Sequence, residues 1–220
     1  MGVINEDIAG RVDAYIEQYT PEHPVPRQFL VPLPTDEEVI SVMQRRYSFS
    51  RGDGHYKRYL ETLDLRVCIG LTVYDPKTKV GCVAHLDNER GIKPHESDKG
   101  LHFLLDLAQF FRHYQSPGPY QIRIVGGWSG LEHSEEILLP LFETLHHLDP
   151  FEVVELSVLQ PMPQRLDTVN IILDLYDGTL YNSSAQIRTD ISDADRLISI
   201  IFAEKDHSGI YFLHKDPKGL

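Results

Sequence analysis

Two neighbouring stretches of alternating residues, joined by a short polar turn, constrain the fold of this chain most strongly. Residues 66–74 carry apolar side chains at alternate positions, which is typical of a β-strand, and residues 79–86 follow as a second strand. The turn between them, Asp75-Pro-Lys-Thr78, has Asp at its first position and Pro at its second, as a type I turn prefers. The centre of the chain is therefore predicted to be an antiparallel hairpin within a sheet.

The remaining patterns add helices and more strands around this hairpin. Apolar spacing and helix-start signals predict helices over residues 4–19, 35–46, 98–114, 132–148 and 192–204. Strands are predicted over residues 120–125, 152–159, 168–175, 179–183 and 209–214, with Asp177-Gly178 as a hairpin turn. We expect an α+β fold with a mostly antiparallel sheet, because hairpins outnumber the crossover connections of a doubly wound dinucleotide-binding fold.

The segment before residue 50 differs from the rest in composition. Five prolines between residues 20 and 34 predict an extended arm that links the first helix to the short helix opened by Thr35 and three acidic residues. We therefore expect residues 1–50 to be a helix, an arm and a short helix that pack on a core domain formed by residues 51–220.

Charge and cysteine content exclude several classes of function. The 220 residues carry a net charge of −12, so neither a nucleic-acid partner nor an anionic membrane surface is expected. No apolar run approaches the roughly 20 residues of a membrane span, and no secretory leader is visible. Two cysteines and eleven scattered histidines match neither a disulfide scaffold nor a metal site. We expect no metal or cofactor, and a reducing, cytoplasmic compartment.

One cysteine and one histidine in the central hairpin form a candidate pair. Cys68 alternates onto the same face as Gly70 and Tyr74 rather than onto the apolar face of its strand. A four-residue loop over 75–78 would pair Tyr74 with Lys79 and place His85 opposite Cys68. Opposed side chains lie close enough for an imidazole to reach a thiol. The pair is either catalytic or an inert cysteine beside a structural histidine, and a single bulge would separate the two side chains.

Such a pair has the chemistry of a cysteine hydrolase. An imidazolium beside Cys68 would stabilise the thiolate nucleophile, and the same His85 could protonate a leaving ammonia and later activate water. A third group usually orients the imidazole. Thr62 on the preceding segment is one candidate, and Tyr74 and Asp87 are local alternatives.

These residues resemble those of a known group of enzymes. Thr62-Leu-Asp-Leu-Arg-Val-Cys68, with Val73 to Gly81 and Ala84-His85, is similar to the bacterial chemoreceptor glutamine deamidases. That resemblance implies a triad of Thr62, Cys68 and His85. Three downstream segments are closer to the eukaryotic protein N-terminal asparagine amidohydrolases: His85-Leu-Asp87, Val125-Gly-Gly-Trp-Ser129 and the hairpin over 170–181. The resemblance covers residues 60–190 and implies a layered α/β sandwich of the deamidase type.

Further residues are candidates for the substrate side of this site. Amides of Gly126 and Gly127 could stabilise a tetrahedral oxyanion, or the two glycines could serve a tight turn that needs positive φ. Trp128 is either the lip of a pocket or part of the core, and Tyr74 and Asp87 complete this group. Cys82 falls on the face opposite to His85 and is expected in the core.

The expected function is a cysteine amidohydrolase that converts N-terminal Asn of a protein to Asp with release of ammonia. Two alternatives remain open: deamidation of glutamine in a folded partner, with an exported effector as one setting, and an inactive adaptor that binds a peptide or receptor. The expected partner is in each case a peptide or protein, for the two enzymes one carrying Asn or Gln. The sequence contains no indication of oligomeric state.

Overall fold

The structure is a computed structural model that describes thirteen parts of the chain. These are residues 6–22, 27–28, 30, 34–35, 37–42, 44, 46–52, 57–87, 118–130, 132–147, 151–161, 169–182 and 210–212. They contain two helices, α1 (Glu6–Tyr19) and α2 (Glu132–His146). The ten strands are β1 (Val39–Val42), β2 (Arg46–Arg51), β3 (Tyr59–Leu65), β4 (Ile69–Asp75), β5 (Val80–Leu86), β6 (Tyr120–Trp128), β7 (Phe151–Gln160), β8 (Val169–Asp174), β9 (Leu180–Asn182) and β10 (Ile210–Phe212).

The strands form two sheets of mixed direction. One sheet has four strands in the order β1-β3-β8-β9, and the other has six in the order β10-β2-β5-β4-β6-β7. Pairing is parallel between β1 and β3 and between β6 and β7, and antiparallel elsewhere. The described chain is therefore α+β and rich in sheet, with mostly antiparallel pairing, as expected.

The six-stranded sheet lies between the helices and the four-stranded sheet. On one face, Leu71 and Ile122 join a buried cluster with Phe142 of α2 and side chains of α1. On the other face, Val83 and Val125 pack in a second cluster with Leu60, Ile171 and other side chains of the four-stranded sheet. Every residue of β4 and β5 is buried, because both faces of these strands are covered. Anything placed on β4 or β5 is therefore shielded from solvent.

The helix predicted over residues 35–46 is wrong, because this segment contains β1 and the first residue of β2. The local helix-start signal is present but closes only one turn: Thr35 donates its N–H to Glu38 Oε2 at 2.9 Å, and Glu38 N donates to Thr35 O at 3.0 Å. Val39 then enters parallel pairing opposite Tyr59 and is 3 % exposed. Burial of β-branched side chains in the sheet outweighs the capping signal here. Residues 39–42 belong to the four-stranded sheet and residues 46–51 to the six-stranded sheet.

The central hairpin forms, but its register differs from the prediction. The loop occupies residues 76–79, so Asp75 pairs with Val80 and Gly70 pairs with His85. Asp75 is the last strand residue because its carboxylate accepts the N–H of Lys77 at 2.9 Å and its carbonyl accepts the N–H of Lys79. Lys79 takes a positive φ of 58° to close the loop. The shift is two residues, so every side chain keeps its predicted face.

The other predicted elements divide into confirmed and undescribed ones. Helices near residues 4–19 and 132–148 are confirmed as α1 and α2, and the Asp177-Gly178 hairpin joins β8 to β9. The helices predicted over 98–114 and 192–204 lie outside the described residues. None of the helices in the described ranges combines the length and the apolar character that crossing a membrane would require.

Candidate functional site

Thr62 and His85 meet between the two sheets. Thr62 lies on β3 of the four-stranded sheet, and His85 lies on β5 of the six-stranded sheet. The hydroxyl Oγ1 of Thr62 is 2.8 Å from Nδ1 of His85. Thr62 is fully buried and His85 is 4 % exposed. A hydrogen bond in such a setting holds the imidazole in one orientation, because neither partner has water to exchange with.

Cys68 also lies between the two sheets but is not directly opposite His85. It precedes the first residue of β4, in the bend formed by residues 66–68, and not within a strand beginning at residue 66 as predicted. His85 is opposite Gly70, two residues further along the chain than Cys68. The predicted direct opposition is therefore wrong because the loop ends one residue later than the turn pattern indicated.

The surroundings of Cys68 are more apolar than the alternation of its strand indicated. Its side chain is 7 % exposed and belongs to the buried cluster between the sheets, together with Leu65 and Val125. The second cysteine, Cys82, is fully buried in the cluster that faces the helices, as expected of a core residue. Burial raises the pKa of the Cys82 thiol well above its ordinary value. Neither cysteine forms a disulfide.

The two glycines at the end of β6 hold the backbone of Cys68. Gly126 and Gly127 have positive φ angles of 106° and 74°. A Cβ on Gly126 would lie 2.6 Å from the carbonyl oxygen of Cys68, so no other residue fits without a shift. The N–H of Gly127 donates to that same oxygen at 3.0 Å. This amide is engaged within the fold, and the arrangement matches the tight-turn alternative rather than an open oxyanion donor.

Ser134, whose role no sequence pattern indicated, completes the contact between the Cys68 segment and the glycine turn. Ser134 lies in the first turn of α2 and is fully buried. Its hydroxyl donates to the carbonyl of Val67 at 3.0 Å and lies 3.3 Å from the N–H of Trp128. Trp128 itself is 7 % exposed, which agrees with a core position. A serine near a helix start is so common a capping residue that its type alone gives no indication of this contact.

Of the two remaining predicted site residues, Asp87 and Tyr74, the structure places only one in the surroundings of His85. Asp87 follows β5, is 6 % exposed, and accepts a hydrogen bond from Gln44 Nε2 at 3.0 Å. Tyr74 lies at the other end of β4, about 20 Å along the strand from Cys68 at about 3.3 Å per residue. Its hydroxyl donates to Leu175 O at 3.4 Å, and burial raises its pKa to about 12. Asp87 therefore belongs to the surroundings of His85, whereas Tyr74 does not.

The imidazole of His85 is neutral at pH 7. Burial lowers its pKa from 6.5 to about 4, and the negative charges of Asp87 and then Asp64 oppose this shift only in part. The expected resting imidazolium is therefore absent, because the space between the sheets disfavours its charge. The Nε2 atom is buried and has no hydrogen-bond partner among the described residues. When Nδ1–H donates to Thr62, Nε2 carries the lone pair and is a base; the opposite tautomer makes it a donor.

No family model matches the sequence, and the curated proteins contain no significantly similar sequence. Within the described ranges, no three His, Cys, Asp or Glu side chains come together as ligands for a metal ion. Thr62, Cys68 and His85 therefore remain the candidate site on which a function can be proposed.

Proposed function

We propose that this protein is a cysteine-dependent amidohydrolase that converts an N-terminal Asn of a peptide or protein to Asp and releases ammonia. The observation that carries the proposal is the buried 2.8 Å contact between Thr62 Oγ1 and His85 Nδ1, which joins the two sheets across the layer that also holds Cys68. These are the three positions that the resemblance to deamidases assigns to a triad. A nucleophile, a base and a group that orients the base are the parts that such chemistry needs.

The reaction follows from these three side chains. Nε2 of His85 takes the proton of the Cys68 thiol as sulfur attacks the carboxamide carbon of the substrate. The imidazolium returns that proton to the leaving nitrogen, so the C–N bond breaks, ammonia departs and a thioester remains. His85 then takes a proton from water, whose oxygen attacks the thioester. The C–S bond breaks, the carboxylic acid forms, and the proton returns to the thiol. In water the acid gives its proton to ammonia, so carboxamide plus water becomes carboxylate plus ammonium.

The low pKa of His85 suits the step in which ammonia leaves. A buried imidazolium with a pKa of about 4 is a strong acid and gives up its proton readily. The neutral imidazole is correspondingly a weak base. The proton transfer from Cys68 nevertheless creates a thiolate and an imidazolium together, and their opposite charges stabilise each other. Thr62 keeps the ring in place through both transfers.

The charges around His85 favour a substrate with a free N-terminus. Asp87 is the carboxylate whose charge acts most on the imidazole, whereas Asp64, which acts on it less, is paired with Arg66 at 3.0 Å. An α-ammonium group would be attracted to this negative potential, whereas an internal Asn or Gln side chain brings no positive charge. Deamidation of glutamine within a folded partner is therefore the second candidate, and binding without turnover is the third. A reduced Cys68 thiol also requires a reducing compartment, and a cytoplasmic location is part of the proposal.

Ammonia release from a panel of peptides tests the proposal. Matched peptides begin with Asn or Gln, carry the same residue internally, or have the first residue N-acetylated, and mass spectrometry identifies the product. We expect turnover of the free N-terminal Asn peptide alone. Cys68→Ser should abolish it, because a serine hydroxyl is hardly ionised beside one imidazole. Cys82→Ser is the matched control and should retain activity.

Three outcomes would contradict this function. Turnover only of an internal Gln in a folded protein would favour the second candidate. Peptide binding with no ammonia from any substrate would favour an adaptor. Full ammonia release by Cys68→Ser would exclude Cys68 as the nucleophile.

A further inference from the structure

Two hydrogen bonds join the segment that carries Cys68 to two other elements, and a third joins those elements to each other. Ser134 of α2 donates to Val67 O at 3.0 Å, and Gly127 at the end of β6 donates its N–H to Cys68 O at 3.0 Å. The third bond runs from the N–H of Trp128 to the Ser134 hydroxyl, at 3.3 Å. Ser134 thus bridges the residue before Cys68 and the residue after Gly127.

This bridge lies where the strand pairing of β4 has ended. Ile69 is the first residue of β4, and Gly126 is its partner on β6. Beyond that pair, the Gly127–Cys68 bond continues the contact by one residue. A Cβ on Gly127 would lie 3.1 Å from the Cβ of Ser134, so the helix and the glycine turn are in close contact. A hydroxyl that both donates and accepts fits this gap, because it pairs one carbonyl and one amide at once.

The geometry points to Ser134 as a positioning residue for the nucleophile: it holds the bend over residues 66–68 against the Gly126-Gly127 turn and so keeps the Cys68 thiol directed at His85. The inference rests on the proposed function in so far as Cys68 is the reacting thiol. Ser134 touches neither Sγ nor the imidazole among the contacts described, so its effect on chemistry passes through the backbone of Val67 and Cys68.

A double-mutant cycle tests this assignment on the full chain. The rate of iodoacetamide alkylation at Cys68 is measured by mass spectrometry in wild type, Ser134→Ala, His85→Gln and the double variant, with Cys82 as an internal reference. Ser50→Ala is the matched control. Its hydroxyl also donates to a backbone carbonyl, that of Lys57 at 2.6 Å, but Ser50 pairs with Gly81, four residues along β5 from His85.

A positioning role and a merely structural role predict different results. If Ser134 directs the thiol at His85, Ser134→Ala should change the alkylation rate about tenfold with His85 present and less than about twofold in the His85→Gln background. Ser50→Ala should leave the alkylation rate of Cys68 unchanged, although it should lower the melting temperature about as much as Ser134→Ala does. An equal change in both backgrounds, or no change in either, would overturn the inference.

Two further measurements separate this inference from the proposed reaction. In wild type, the amides of Gly127 and Trp128 should exchange slowly with deuterium, and Ser134→Ala should accelerate both; rapid exchange in wild type contradicts the inference. With a substrate in hand, Ser134→Ala should lower kcat about tenfold and change KM less than about twofold. Should no peptide be deamidated while the alkylation cycle still shows coupling, the proposed reaction fails and the positioning role stands.

Discussion

Replacing His85 by Gln should remove a large part of the acid sensitivity of this fold. Burial between the sheets lowers the pKa of the imidazole to about 4 in the folded chain, against an ordinary value of 6.5 for the solvated ring in the unfolded chain. Above pH 6.5 both states hold a neutral ring, and the group has no effect on stability. As the pH falls below 6.5 the unfolded chain takes up a proton that the folded chain refuses until about pH 4, so the folded state loses stability across that interval.

The size of the effect follows from the two pKa values. They differ by about 2.5 units, and each unit corresponds to about 1.36 kcal/mol, so full expression gives a loss of about 3 kcal/mol. Domains of ordinary size have free energies of unfolding of about 5–15 kcal/mol, so this loss is a substantial fraction of the total stability. Gln has no titrating group, so its cost to the fold should be the same at every pH.

Urea unfolding between pH 4 and 8 measures this effect. The free energy of unfolding of His85→Gln minus that of wild type should rise by about 3 kcal/mol as the pH falls from 8 to 4. His147→Gln, at an exposed position of the segment after α2, is the matched control for the loss of a histidine away from the site. A difference that stays constant with pH would refute the conclusion that His85 is held neutral by burial.

Two more substitutions probe the same site. Thr62→Val keeps the shape of the side chain but leaves Nδ1 of His85 without its partner, so it should cost about 1–3 kcal/mol of unfolding free energy and slow kcat about two- to twelvefold. Urea unfolding and steady-state kinetics measure both, and a silent Thr62→Val would exclude this hydroxyl as the group that orients the ring. Gly126→Ala forces a Cβ to within 2.6 Å of Cys68 O at a positive φ, so it should destabilise by at least about 1–3 kcal/mol and disturb alkylation at Cys68. A fully stable Gly126→Ala with normal alkylation would show that the contact is not tight in solution.

Local patterns were sufficient for the faces of the central hairpin and for the described helices. Alternation along a strand is a property of neighbouring residues, so it predicts Cys68 and His85 on one face and Cys82 on the other. The observed register differs from the predicted one by two residues, and an even shift leaves the face of each side chain unchanged. The predictions of α1 and α2 are correct because the apolar side chains that show the helical spacing are also those that pack in the buried cluster against the sheet.

Pairing with distant strands decided what local signals could not. Thr35 and the acidic residues after it carry a strong helix start, yet Val39 pairs with Tyr59, 20 residues further along, and the segment becomes β1. A preference of this kind is worth only about 1 kcal/mol in total, and burial in a sheet exceeds it. The loop boundary at Lys79 likewise depended on one residue adopting positive φ, which no propensity for Lys favours.

The chemistry of the site depended on tertiary structure most of all. The sequence by itself determined which side chains could be nucleophile, base and orienting group, because residue type and spacing are local. The packing of one sheet on the other decided that Thr62 reaches His85 across 23 residues of chain and that Ser134 reaches Val67 across 67. It also decided that His85 is neutral, because the pKa of a histidine responds to the water that the opposing sheet removes, and no neighbour in sequence carries that information.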